Sequence, residues 1–441
     1  MAGAALRIIL FAGLVLLAPA LETFRGVEHE AFLSQLGKNC ALAGFMLLVF
    51  QFFLASRAKW VEKPFGFDIL IRFHRHMAFL ALGLLLVHPL LMAAGTGRWE
   101  FIFGLDLPFS IWMGKASLFM VAANILATAF QTRLKIRFEK WRLGHDILAP
   151  AILAAAFVHT FLGIEEDGLE LAAIKVQLIL FAAAAISLYA WQLIARPWFL
   201  KRHPYRVVDV KAEAPEVWTV TLAPPEGKQV EDYLPGQFHF IKLYRGRGLP
   251  VEEHHWTISS SPFRKDSISS TIKNLGDFTS TTGETRTGDL AAVHGAFGRF
   301  SYALHPQELD LVFFAGGIGI TPLMSMIRHM RDVRDTRSVL LLYANRKESL
   351  IVFKDELADI EEAGHPRLRT IHVLSDPDEG WQGETGFLDQ KKIEKYCTGN
   401  LEDKAFYVCG PPPMSKSVVS ALLNLGVSDK KIRIELFSFL D

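Results

Sequence analysis

The chain has 441 residues, 51% of them hydrophobic, and its 47 Lys and Arg against 46 Asp and Glu leave a formal charge of +1. That balance, with no basic patch interleaved with aromatics, argues against a nucleic-acid partner. The three cysteines, Cys40, Cys397 and Cys409, lie far apart and form no CxxC pair, which argues against a disulfide framework or a zinc site.

Six apolar runs, near 6–22, 38–55, 70–94, 111–131, 145–163 and 171–195, have the length of bilayer crossings, which need roughly 17–25 residues each. The first run carries an A-x-A-like site in "LAPALETF". It is nonetheless expected to stay as a helix, because an even number of crossings puts both termini on one side. Basic residues crowd the loops around 56–76 (Arg57, Lys59, Lys63, Arg72, Arg75) and 132–142 (Arg133, Lys135, Arg137, Lys140, Arg142). The segment after the last run is basic too, with Arg196, Lys201, Arg202 and Arg206, whereas the opposite loops hold little more than Arg25, Lys38, Arg98 and Lys115. The positive-inside rule then places both termini and everything after the last run in the cytoplasm of a multi-pass cell-membrane protein.

Ionisable side chains in lipid are costly and mark function. The third run, "IRFHRHMAFLALGLLLVHPLL", carries His74 and His88, 14 residues apart; the fifth carries His145 and His159, also 14 apart. Fourteen residues end about 40° short of four whole turns and rise about 21 Å, so each pair shares a helix face at two depths. His76 falls about 120° off that face and is set aside as a polar group at the boundary. Both runs enter from the same side, so their histidines meet in two layers, His74 with His145 and His88 with His159. A lone membrane histidine usually bonds a neighbouring backbone or lines a proton path. Four at matched spacing point instead to two bis-histidine haem b sites. With both axial positions filled, such a site passes single electrons and leaves no iron position open to oxygen.

Residues 203–305 read as short strands with turn punctuation, a Greek-key barrel in outline. "HHWTISSSP" can lay Trp256 along a flat ring, and "TIKNLGDFTSTTGE" can offer backbone amides and Thr279 to a pyrophosphate at a helix start. Residues 306–441 alternate strand and helix, as in a Rossmann-like α/β domain. In "LVFFAGGIGITP" a buried strand runs into a glycine turn, where Gly316, Gly317 and Gly319 let the backbone approach a phosphate. Arg346 follows the next strand, where a ribose or its 2′-phosphate is read. Cys409 and Gly410 of "CGPPPM" fall at the carboxyl edge of the sheet.

"HHWTISS", "GGIGITP" and "CGPPPM", in that order, resemble the ferredoxin–NADP reductase family over residues 254–441. Behind a six-helix domain with paired histidines, the whole chain resembles the NADPH oxidase and ferric reductase superfamily. The resemblance implies three parts: a six-helix transmembrane di-haem domain (1–196), an FAD-binding barrel (203–305) and an NAD(P)-binding α/β domain (306–441). It implies flavin contacts at His254, Trp256, Thr257 and Ser259, with Lys273, Gly276 and Thr279 toward the pyrophosphate. Nucleotide contacts fall on Gly316, Gly317, Gly319, Thr321, Pro322, Arg346, Gly410 and Pro411. The family's flavin motif is usually H-P-F-T, so His255 stands here in place of Pro and Trp256 in place of Phe. The family's terminal aromatic matches Phe437, with Phe439 as a rival because four residues follow Phe437.

The implied activity moves electrons from cytoplasmic NADPH (or NADH) through FAD and two haems to an acceptor outside. Oxygen is placed first, giving superoxide, with a ferric chelate, a quinone or a partner protein as alternatives. Phe437, Cys409 and Arg98 are the candidate catalytic residues. Arg98 lies in an outer loop, where an anion or superoxide would arrive, and where a haem propionate or the membrane interface would equally engage it. The partners implied are small-molecule donor and acceptor and the lipid bilayer; no protein partner is required. No EF-hand pattern occurs, so calcium control is not expected. A haem-free histidine transporter is the remaining class, and it would show no Soret band.

Overall fold

The computed structural model describes residues 2–25, 32–164 and 169–436. The chain divides into two compact units, residues 1–196 and 197–441.

The first unit is a bundle with six helices long and apolar enough to cross a membrane, lying within Ala2–Arg25, Phe32–Ala55, Phe67–Thr96, Phe109–Ala129, Phe138–Gly163 and a last stretch Leu171–Arg202. Several helices outrun the apolar sequence: the fifth begins at Phe138, about two turns before His145. Its first turns are polar enough for an interface, and only intrahelical bonds satisfy backbone polar groups that then enter lipid. Large apolar side chains face outward, Ile9 67%, Phe119 74% and Leu180 62% exposed. Water does not tolerate so continuous an apolar exterior, so the unit is a multi-pass membrane protein.

The second helix is the most buried, with Phe45, Met46 and Val49 at its centre. Small residues let the third helix run antiparallel along it. A Cβ at Gly44 would meet Leu85 at 2.8 Å, and one at Gly37 would meet Met92 at 3.1 Å. Close backbone approach of this kind replaces the hydrophobic effect inside a bilayer, where lipid tails are as apolar as Leu.

The second unit holds two sheets. Strands Tyr205–Ala214 (β1), Val217–Ala223 (β2), Phe238–Tyr244 (β3), Glu253–Thr257 (β4), Ile268–Lys273 (β5) and Leu290–Phe297 (β6) form an antiparallel sheet in the order β4-β3-β6-β1-β2-β5. A bridge between Ile258 and Ser270 ties the two ends together and closes a Greek-key barrel around Val207, Val220, Leu243, Ile258 and Ile272. Strands Asp310–Gly316 (β7), Ser338–Asn345 (β8), Arg367–Leu374 (β9), Glu384–Thr385 (β10), Lys404–Cys409 (β11) and Ile432–Glu435 (β12) form a parallel sheet in the order β10-β9-β8-β7-β11-β12. Its central strands are buried on both faces, which is why "LVFFAG" and "AFYVC" are unbroken apolar runs with no alternation.

Candidate functional site

In the membrane unit the third and fifth helices bring the four histidines together in two pairs. The His74 and His145 ring centres lie 6.3 Å apart, and those of His88 and His159 lie 6.1 Å apart, with interplanar angles of 62° and 63°. An imidazole nitrogen binds a transition metal at about 2 Å and sits about 1 Å from its ring centre, so two rings sharing one metal have centres about 6 Å apart. Both layers have that spacing.

The surrounding bonds orient the rings. His88 Nδ1 donates to the Gly37 carbonyl at 2.9 Å, His159 Nδ1 to the Ser110 carbonyl at 2.8 Å, and His145 Nδ1 to Asn124 Oδ1 at 3.1 Å. A carbonyl only accepts, so each Nδ1 carries the proton and each Nε2, across the ring, keeps a bare lone pair. His74 has the Gln51 backbone as its neighbour but completes no hydrogen bond through its buried Nδ1. Among the described residues there is no group of three or more His, Cys, Asp or Glu placed to hold a metal ion. A porphyrin supplies four ligands itself and asks the protein for two, so a pair per layer is the donor set that fits it.

These partners were not singled out from the sequence, although a signal exists. Gly37 and Gln51, the latter a neighbour of His74 and not a bonded partner, are 14 residues apart on the second helix, as are Ser110 and Asn124 on the fourth. Each neighbour runs antiparallel to its histidine helix, so the 14-residue step recurs on all four. Gly114 adds a steric role, since a Cβ there would meet three atoms of the His159 ring at 2.8–2.9 Å.

In the second unit the glycine turn and the CGPPPM turn meet at the carboxyl edge of the parallel sheet, where Ala315 and Cys409 are paired neighbours. A Cβ at Gly319 would collide with the Cys409 carbonyl and reach Gly410 Cα at 2.9 Å; one at Gly316 would meet Pro411 at 2.7 Å. Two of the three glycines therefore serve the packing of one turn on the other. Gly317, with φ +52° and open space around its α-carbon, is the one left facing an approaching ligand. Thr321 and Pro322 occupy the first turn of the helix Ile320–Asp332, and the Thr321 hydroxyl donates to the Ile318 carbonyl at 3.1 Å. Cys409 is fully buried, which holds its thiol well above the ordinary range. Arg346 is exposed after β8 and pairs with Asp376 at 3.3 Å.

On the barrel, strand alternation puts His254 and Trp256 on one face of β4 and His255 on the other. The His254 ring stacks on Trp256 at 5.6 Å and lies tilted against Phe278 at 4.2 Å, an aromatic shelf whose Phe278 the sequence did not flag. His255 packs against Phe238 and Phe240 instead. Thr257 ends β4. Ser259 is fully buried and accepts from the Thr271 hydroxyl at 2.9 Å. Lys273 ends β5, and beyond it Thr279 Oγ1 accepts from the Leu275 amide at 2.8 Å and donates to the Gly276 carbonyl at 3.1 Å. Arg98 lies against Glu100 at 2.8 Å and over the Phe101 ring. Phe437 and Phe439 lie outside the described residues.

Comparison with known proteins matches one segment within each unit. Residues 40–156 match the ferric reductase like transmembrane component, and residues 313–420 match the oxidoreductase NAD-binding domain. The chain thus joins a ferric reductase-like transmembrane segment to an oxidoreductase NAD-binding domain in one fusion. Among curated relatives, NADH-cytochrome b5 reductase 1 of Lodderomyces elongisporus is 34% identical over 167 residues, 38% of this chain and 55% of that protein. A component of the Na(+)-translocating NADH-quinone reductase of Pseudomonas paraeruginosa is 32% identical over 37% of this chain and 40% of its own length. The fusion thus spans about half the length of the curated relatives it matches. Among solved structures, the FAD/NAD-binding domain of a nitric oxide dioxygenase from Vibrio cholerae is 22% identical, with a TM-score of 0.47 over 53% of this chain and 97% of that one.

Proposed function

We propose that the fusion carries electrons from cytoplasmic NADPH or NADH across the membrane to a one-electron acceptor on the far side. The observation that carries this reading is the pair of histidine layers, each with ring centres about 6 Å apart, with protons held on Nδ1 of His88, His145 and His159. When bound, FAD takes up the two electrons of a hydride and releases them singly, and two bis-imidazole haems pass them on one at a time. Each nucleotide oxidised therefore reduces two acceptor molecules and releases one proton.

The chain's own residues bind and orient. Gly317 and the start of the helix Ile320–Asp332 offer backbone amides to the nucleotide pyrophosphate. Arg346 reads the ribose end, a mild preference for NADPH. Trp256, backed by His254 and Phe278, gives the flavin a flat apolar wall, and the Gly276–Thr279 turn receives its pyrophosphate. His74 with His145 and His88 with His159 would hold the two haems, which would supply one-electron transfer without an open site for the acceptor on the metal. The basic loops at 56–76 and 132–142 favour a cytoplasmic reductase module.

Dioxygen is the acceptor placed first, giving superoxide. A ferric chelate is the second reading, favoured by the ferric reductase-like match over 40–156. The test is the purified full-length protein reduced by NADPH in detergent. Two low-spin haems per FAD, both reduced, support the proposal; a protein with no Soret band overturns it.

A further inference from the structure

The two histidine layers are not held alike. Both outer rings, His88 and His159, give their Nδ1 protons to backbone carbonyls. In the layer of His74 and His145, His74 Nδ1 completes no bond, and His145 Nδ1 is met by a side-chain amide, Asn124 Oδ1. That layer thus depends on one substitutable residue. Asn124 is itself fixed: its backbone carbonyl accepts from the Thr128 hydroxyl at 2.8 Å, and that hydroxyl accepts from Trp141 Nε1 at 3.1 Å. The Trp141 ring in turn packs against His145, with centres 5.4 Å apart. Residues from two helices close a loop around one imidazole.

Resting on the haem reading above, we propose that Asn124 is the positioning residue that tunes one haem of the two. An imidazole that donates through Nδ1 becomes a more basic ligand through Nε2. A more basic ligand stabilises ferric over ferrous iron. Since His74 has only the Gln51 backbone beside it, Asn124 supplies the side-chain bond of this layer among the described residues, so its removal shifts one haem and spares the other.

The test is Asn124→Leu, of similar size but unable to accept, and Asn124→Asp, which keeps an acceptor, in the full-length haem-loaded protein. Potentiometric titration followed optically gives two midpoints, and low-spin resonance spectra report the axial ligands. The proposal expects Asn124→Leu to raise one midpoint by about 59 mV, a tenfold change in the ferric–ferrous ratio. Haem affinity at the same site should fall about 10–100-fold. Asn124→Asp should leave that midpoint at or below its original value. Equal shifts of both midpoints, or two unmoved midpoints with both haems retained, overturn the proposal. A wild-type protein without two bis-imidazole haems would instead overturn the haem reading itself.

Discussion

Gly114 offers a sharp perturbation of one layer. An added Cβ would lie 2.8 Å from His159 Nδ1 and 2.9 Å from two more ring atoms. Ordinary contact begins near 3.4 Å, so the ring must move by about 0.6 Å. The bond from His159 Nδ1 to the Ser110 carbonyl, now 2.8 Å, stretches toward the limit of hydrogen bonding. Losing it costs about 1 kcal/mol, and overpacking adds about 1–3 kcal/mol. Gly114→Ala should therefore empty or distort the His88–His159 layer and spare His74–His145, about four helical turns away. The assay is the haem-to-flavin ratio of the purified protein, with low-spin resonance spectra: the ratio should fall from two toward one, with the second low-spin signal lost or broadened. Two haems with an unchanged spectrum would refute the assignment of His159 as a ligand.

In the reductase module, Gly319→Val drives a branched side chain into the Cys409 carbonyl. About 1–3 kcal/mol of overpacking should lower kcat/KM for NADPH by up to about a hundredfold with FAD still bound; loss of FAD would signal misfolding. Arg346→Ser should narrow any preference for NADPH over NADH, by about tenfold or more if a charge-assisted bond of about 1.5–3 kcal/mol is lost; equal effects on both nucleotides count against a 2′-phosphate role. His239 is buried in the barrel with Nε2 and Ser270 Oγ 2.7 Å apart, and burial pushes it down to about 3 from 6.5. The folded barrel holds it neutral while the unfolded chain protonates, so its contribution is fully present above pH 6.5 and is lost as pH falls from 6.5 toward 3. The slope is about 1.4 kcal/mol per pH unit. Flavin-fluorescence melting between about pH 7 and pH 5 should fall by several degrees, and His239→Gln should flatten that slope; an unchanged slope assigns the acid loss elsewhere.

The membrane helices and the histidine layers were legible because both rest on one number, the helical rise. Apolar length gave six crossings, and equal 14-residue spacing put four imidazoles at two depths. What the sequence hid is what depends on neighbours: Asn124, Ser110 and Gly37 carry no chemical signature of their own, and two of them act through backbone carbonyls. The glycine turn shows a different limit. Gly316 and Gly319 read as room for a phosphate, yet their space is filled by Pro411, Met414 and Cys409 from a turn some ninety residues later. A motif records that a side chain is forbidden there, not which atom forbids it. Phe278 escaped notice for a related reason, since its contact with His254 arises only when β4 and the turn after β5 are brought together.

Transmembrane electron transfer itself is tested most directly in sealed liposomes. The full-length protein is inserted with its reductase module outward, and an impermeant one-electron acceptor is trapped inside. NADPH added outside should be oxidised while two trapped acceptor molecules are reduced per nucleotide. Oxidation that proceeds only when the acceptor shares the outer compartment would contradict the account.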